Sequence, residues 1–419
     1  MTKNSKAVGI LIAGTGINLS IGFLYAWSVF KKALVVPVAQ GGWGWTHTEA
    51  NAAYTTAVVV WAVALLLAGV IQDRIGPKWV IRIGVALVGL GLAASSLFST
   101  PLALMVTVGV VVATGIGFVY GCITPMAMKW FHPSKKGLVS GITVGGFGVA
   151  AVYFAPLAGA LIKAYGISRT FLVLGTGILA VGGLLSFLVD NPPSGYVPEA
   201  PAKVPAKKHA PRHTGQDFTW RQMLRTPQFY LLWVMFVFAS SAGVMMIGHL
   251  ATIASKQAAV ANPAYLVSLL AVCNASGRIG GGYLSDKIGR RNTLLLVFST
   301  QLLNMLAFGY YDSVPLIVLG TVVAGFSYGS LMSTFPSITS DYWGMKGYGA
   351  NYGVLYTAWG VCGVVGPLLA GWAIDTTGSY AAAYGISAAL LGVAIVLGLL
   401  LKPVTAAPKA AAAAVAAAG

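Results

Sequence analysis

Twelve apolar stretches of about 20 residues or more run along this chain of 419 residues. They fall near 7–29, 51–71, 79–98, 102–126, 138–163 and 168–189, then 227–251, 263–284, 291–310, 314–338, 347–373 and 379–401. At a helical rise of 1.5 Å per residue, each is long enough to cross a hydrocarbon core of about 30 Å. Inside lipid every backbone polar group must be paired within the chain, which helices and closed barrels alone achieve. The runs are continuous and do not alternate, so helices are expected. Composition points the same way. Only 8% of residues are charged and 57% are hydrophobic, whereas a water-facing domain carries about 25% charged residues. The expected fold class is an all-α membrane protein of twelve transmembrane helices. The first stretch follows Lys3 and Lys6 as a signal peptide would, but it is too long and lacks a small-residue cleavage site. It is therefore read as a retained span.

The spans form two sets of six, giving expected bundles at 1–189 and 227–402. Between them, 190–226 is rich in Pro, Ala, Lys and Arg and reads as a solvated linker. The Ala-rich tail, 403–419, is expected to be disordered. Placing both termini in the cytoplasm leaves only Lys31, Lys32, Lys163, Arg169 and Lys256 on the far side, with Arg278 inside a span. That is the asymmetry of the positive-inside rule. The net charge of +17 is thus a topology signal directed at the lipid bilayer, and nucleic acid is not an expected partner. Cys122, Cys273 and Cys362 lie far apart in apolar runs. They point to neither disulfides nor a metal, and no cofactor is expected.

The two halves repeat each other. GVIQDRIGPK at 69–78 follows the second span, and GYLSDKIGRR at 282–291 follows the eighth, with Asp73 and Asp286 213 residues apart. Pro125 and Pro336 are 211 apart, as are Pro156 and Pro367. Landmarks at offsets of 211 to 213 in matching spans indicate a duplicated six-helix unit. The G-x-x-x-D-[RK]-x-G-x-[KR] loop, present twice, resembles the signature of the major facilitator superfamily. That resemblance implies two pseudo-symmetric six-helix bundles around a central cavity, with substrate near the bilayer midplane. The loop's Asp73, Arg74, Asp286, Lys287 and Arg290 can pair with neighbouring helix ends, and are taken as a conformational latch.

All nine acids fall in loops or at span ends, whereas Arg278 lies about the middle of the eighth span. An unpaired guanidinium there costs from about 2.5 to about 17 kcal/mol. That it bonds helix carbonyls or snorkels is the weaker reading, given its depth. The stronger one is that its partner comes from outside: a planar fork of donors suits a carboxylate. Subtracting the repeat offset of 213 gives Leu65, so the arginine has no twin in the first half. Asn274, one turn earlier on the same face, can bond the same ligand.

The run N-A-S-G-R ending at Arg278, GFLYAWS around Tyr25, GFVYG around Tyr120, KGLVSGITVGGFG at 136–148, FPSITSD ending at Asp341 and NYGV from Asn351 resemble the monocarboxylate transporter and oxalate–formate antiporter branch. The resemblance places Arg278 on the substrate carboxylate, with Leu24, Tyr25, Tyr120, Phe147 and Tyr328 lining the cavity. It implies a carrier of a small monocarboxylate such as L-lactate, moved with a proton, in a multi-pass protein of a bacterial inner membrane, acting as a monomer. There are two departures. Trp359 stands where the oxalate–formate antiporter has a second cation, which favours a monocarboxylate. Asn274 stands where animal monocarboxylate transporters carry an aspartate, so the proton site is open. His249, late in the seventh span, is the relay candidate, against a plain hydrogen-bonded imidazole. Anion exchange is the alternative coupling.

Tyr352, Tyr356 and Trp359 recur at roughly helical spacing, a stripe more often packing than pocket. The glycine-rich runs at 115–117 and 145–148 lack the lysine of a phosphate loop and read as helix-packing surfaces. An enzyme would need a nucleophile with a base, or paired acids, within the spans; neither is found. A carboxylate sensor would need a signalling domain longer than the linker or tail.

Overall fold

A computed structural model of the protein describes residues 3–199, 217–261 and 263–404. The middle of the linker and the tail beyond 404 lie outside the described residues. The chain is all-helical there. Its twelve long helices are α1 (Lys3–Ser20, continued by a 3-10 turn Gly22–Ala26 into Trp27–Val35), α2 (His47–Ile75), α3 (Pro77–Ser95), α4 (Pro101–Met128), α5 (136–165) and α6 (167–186). The second bundle comprises α7 (Pro227–Ala258), α8 (Ala264–Ile288), α9 (Arg290–Phe308), α10 (Val314–Trp343), α11 (Tyr348–Thr377) and α12 (Ala381–Leu400).

Nine helical segments among the described residues are long and apolar enough to cross a membrane. One of these, Pro133–Ser186, is α5 and α6 run together, parted by Gly166 at φ 77°. The two helices that fall short are α8, with Asn274 and Arg278, and α9, with Gln301 and Asn304; all four polar side chains are buried. Polarity lowers their hydropathy without moving them out of the bundle, because it faces protein and not lipid.

The duplication holds at the level of atoms. Gly76 and Gly289, 213 apart, turn the chain between helices at φ 84° and 91°, a conformation that favours glycine. A Cβ on Gly117 would meet the Trp61 carbonyl and Leu65 nitrogen, and one on Gly329 the Asn274 carbonyl and Arg278 nitrogen. These are equivalent atoms of α2 and α8.

The bundles meet along two crossings, α2 with α11 and α5 with α8. At the end of the molecule that carries the linker, both crossings close to backbone contact through glycine: Gly69 on Gly349 and Gly137 on Gly282. No side chain fits between such backbones, so the bundles are sealed there. Further along, at Gly363, a Cβ would meet the partner bundle only at Val58, 4.0 Å away. The linker is tied down at both ends. Trp130 donates to the Asp190 carbonyl (2.8 Å), and the Met345 and Lys346 N–H groups donate to Asp217 (2.8 and 3.1 Å).

Candidate substrate site

The α5–α8 crossing sets the position of Arg278. Gly141 lies against the Arg278 carbonyl, Gly145 against Ile279 and Gly148 against the guanidinium, where a Cβ would stand 3.1–3.3 Å from its atoms. This glycine face lets α8 approach closely enough for Arg278 to reach across the interface. The residue is 3% exposed. Its Nε donates to Asn274 Oδ1 (3.2 Å) and its Nη1 to the Val144 carbonyl of the other bundle (2.7 Å). The carbonyl-bonded state disfavoured from sequence is therefore part of the answer. Asn274 does face the arginine, as the helical spacing predicts. Both acceptors are neutral; among the described residues no carboxylate pairs with Arg278, and neither bond uses Nη2.

An aromatic cluster lies near the guanidinium. Phe147 packs on Tyr25 (5.3 Å between centroids) and on Tyr120 (5.2 Å). Trp359 donates its Nε1–H to the Tyr328 hydroxyl (2.9 Å). Tyr25, Tyr120, Tyr328 and Tyr356 all lie near enough to interact with the arginine's charge. Leu24 is buried beside Tyr25 in the 3-10 turn that interrupts α1. That break has a packing cause: Gly22 sits against Ala150 of α5, where a Cβ would stand 2.1 Å from the alanine methyl.

Two residues lie nearer the centre than the sequence indicated. Trp61 packs on Tyr120, Phe147 and, across the interface, Trp359. Tyr356, weighed as packing, touches Tyr120 (6.2 Å) and donates to the Met332 carbonyl (3.1 Å). Offsetting by the repeat would have found Trp61, which occupies the position of Asn274. His249 is not brought to this cluster; its Nδ1 bonds the Tyr380 hydroxyl (3.2 Å) in the turn before α12.

At the linker end, the acid of each repeated loop caps a helix of the opposite bundle. Gly137 and Leu138 N–H donate to Asp286 (2.9 and 2.8 Å), and Ala350 N–H donates to Asp73 (2.9 Å). An anion at a helix N-terminus satisfies amides that have no intrahelical acceptor. Arg290 joins Asp286 (2.6 Å) to Asp341 (2.8 Å), and Lys136 of α5 lies 3.5 Å from Asp341 without hydrogen-bond geometry. Lys136 and Asp341 were not legible as partners, since they are 205 residues apart and nothing in the chain links them. Arg74 is exposed, and so is Lys287, which lies over the Tyr283 ring of its own helix; neither is among the residues in these contacts.

This architecture, two six-helix bundles sealed together at one end with a buried arginine between them, is that of a secondary transporter. The Major Facilitator Superfamily model matches residues 7–310 and 264–418, and the chain belongs to that family. It is a transporter and not an enzyme. The chain is 28% identical over 361 residues to the uncharacterized MFS-type transporter YhjX of Escherichia coli K12, covering 84% of this chain and 85% of that one. It is 28% identical over 390 residues to the oxalate:formate antiporter of Oxalobacter formigenes (91% and 88% covered). Against monocarboxylate transporter 12 of Xenopus laevis the identity is 26% over 342 residues (76% and 73%). Among solved structures, the transporter FucP in its outward conformation superposes with a TM-score of 0.69 at 16% identity, covering 94% of this chain and 99% of that one.

Proposed function

We propose that the protein carries a small monocarboxylate such as L-lactate across a bacterial inner membrane by alternating access, together with a proton. The observation that carries this reading is Arg278, buried at mid-span between the bundles and bonded only to neutral acceptors among the described residues. A carboxylate would replace a neutral carbonyl with a charged acceptor, and charge-assisted hydrogen bonds are roughly twice as strong. It would also cancel the guanidinium charge when both gates close, which lowers the barrier to occlusion selectively for the loaded carrier.

Leu24 and Phe147 suit the short alkyl end, and Asn274 or a tyrosine suits the hydroxyl. Trp359, apolar over most of its surface, supports a single-charge substrate. Asp73, Asp286 and Arg290 serve as the latch, with the linker, both termini and the latch on the cytoplasmic side, as the basic residues favour. The bundles take their boundaries at 1–189 and 227–402, and the carrier acts as a monomer.

Exchange of one carboxylate for another is the second reading. It is favoured by the absence of an acid beside Arg278 among the described residues and by the distance in the fold between His249 and the cluster. Proteoliposomes separate the two. Lactate uptake driven by an inward proton gradient, with no internal substrate, is expected. Uptake that requires an internal carboxylate establishes exchange, and no carboxylate flux under either condition overturns the carrier assignment.

A further inference from the structure

Trp61 lies in the middle of α2 in an apolar run, VVVWAV, and is 8% exposed. Its ring meets Tyr120 at 5.7 Å, Phe147 at 5.3 Å and Trp359 at 4.6 Å, so it bridges the two bundles. Its Nε1–H is buried and has no hydrogen-bond partner among the described residues. Buried indole N–H groups normally find one. Trp27, Trp130, Trp233, Trp343 and Trp359 all do, each donating to an oxygen within 3.2 Å. Among the described residues, Trp61 Nε1 is the only fully buried indole nitrogen left without a partner.

The duplication gives an independent reason to regard that donor as functional. Trp61 is 213 residues before Asn274, and Gly117 packs on its carbonyl as Gly329 packs on that of Asn274. Each bundle thus presents a hydrogen-bonding side chain at the same station, one turn before Leu65 or Arg278. The two stations converge on one stretch of α5. Trp61 packs on Phe147, while Arg278 bonds the Val144 carbonyl and lies against Gly148.

We propose that the Trp61 indole N–H is a second donor to the carboxylate held by Arg278, so that the anion joins the bundles through one donor from each. The inference rests on the carboxylate reading above and names a residue of that same site. An indole donates and never accepts, and a carboxylate accepts on both oxygens, so the pair is complementary, whereas an alkylammonium offers the indole no acceptor. Because the two donors belong to different bundles, the bound anion favours the arrangement in which they converge.

The test uses the purified full-length protein with L-lactate as the probe, titrated calorimetrically. Trp61→Phe keeps an aromatic ring and removes the donor; it is expected to weaken binding about tenfold, the effect of losing a hydrogen bond to a charged group. Replacing the indole by benzothiophene, through an unnatural amino acid, removes the N–H with the ring shape kept and serves if the phenylalanine variant folds poorly. In protein labelled with 15N-tryptophan, the indole resonance missing from Trp61→Phe is expected to move downfield on lactate addition. A packing role would not move it. Affinity within about twofold of wild type in either variant, or an unmoved resonance at saturating lactate, overturns the inference. Arg278→Gln separates the two readings. If it abolishes binding while the Trp61 variants bind normally, only the Trp61 role is lost. If it still binds lactate, the carboxylate reading itself fails.

Discussion

Arg278 has neutral acceptors on two of its three nitrogens, and this sets what its removal should do. Arg278→Ala strands the Asn274 amide and the Val144 carbonyl, and unpaired buried polar groups cost about 1–3 kcal/mol each. It also removes a desolvated charge, which offsets much of that loss. Lactate flux should vanish while the thermal midpoint in detergent falls by only a few degrees; wild-type flux would refute the assignment. Asn274→Asp places a carboxylate at the 3.2 Å acceptor position. The new carboxylate can pair with the guanidinium and so competes with the substrate for it. Lactate affinity should fall at neutral and alkaline pH and recover as the aspartate protonates in acid. A flat pH profile would mean that the asparagine and the substrate do not share the arginine. The spacing of 274 and 278 made this pair legible in the sequence; the Val144 carbonyl was not, because every residue has one and only the crossing angle selects it.

Helix against helix, the deciding contacts are glycine on backbone. Gly141 faces the Arg278 carbonyl, and a Cβ there would lie 2.3 Å from its oxygen. Gly141→Ala must push α5 and α8 apart, and should bias the molecule away from the state sealed at the linker end. Spin labels at Lys135→Cys and Lys346→Cys, both exposed and on opposite bundles, should report a longer mean distance than in the unmutated background. An unchanged distance distribution would show that the crossing does not control the seal. The sequence revealed the glycines at 115–117 and 145–148 as packing surfaces, though not Gly141. It did not reveal which helix each one meets, since that pairing depends on how the two bundles are oriented.

Across the whole molecule, the contacts of the two repeated loops share a plan but not a strength. Asp73 takes the Ala350 amide across the interface, with the Gly349 amide and Lys129 nearby. Asp286 receives two and belongs to a buried net-neutral group with Arg290, Asp341 and Lys136. The position 212 residues before Asp341 is Lys129, so the first half has no equivalent acid. Breaking one member of a buried ion group costs far more than the intact group contributes, because its partners are left uncompensated. Asp286→Asn should therefore open the linker end more than Asp73→Asn, read by the same pair of labels. Equal shifts would place the control in the helix caps alone.

The number of spans, the duplication, and the one costly charge followed from the sequence because lipid punishes polarity and unpaired backbone so heavily that departures from apolar runs stand out in one dimension. What surrounds that charge did not follow. Trp61 and Val144 sit in runs that look like any lipid-spanning helix, and Lys136 and Asp341 look like ordinary residues near span ends. They come together as a candidate site and a sealed end only when α2 meets α11 and α5 meets α8. Those crossings are fixed by close packing between distant segments, a three-dimensional fit that leaves no periodic trace along the chain.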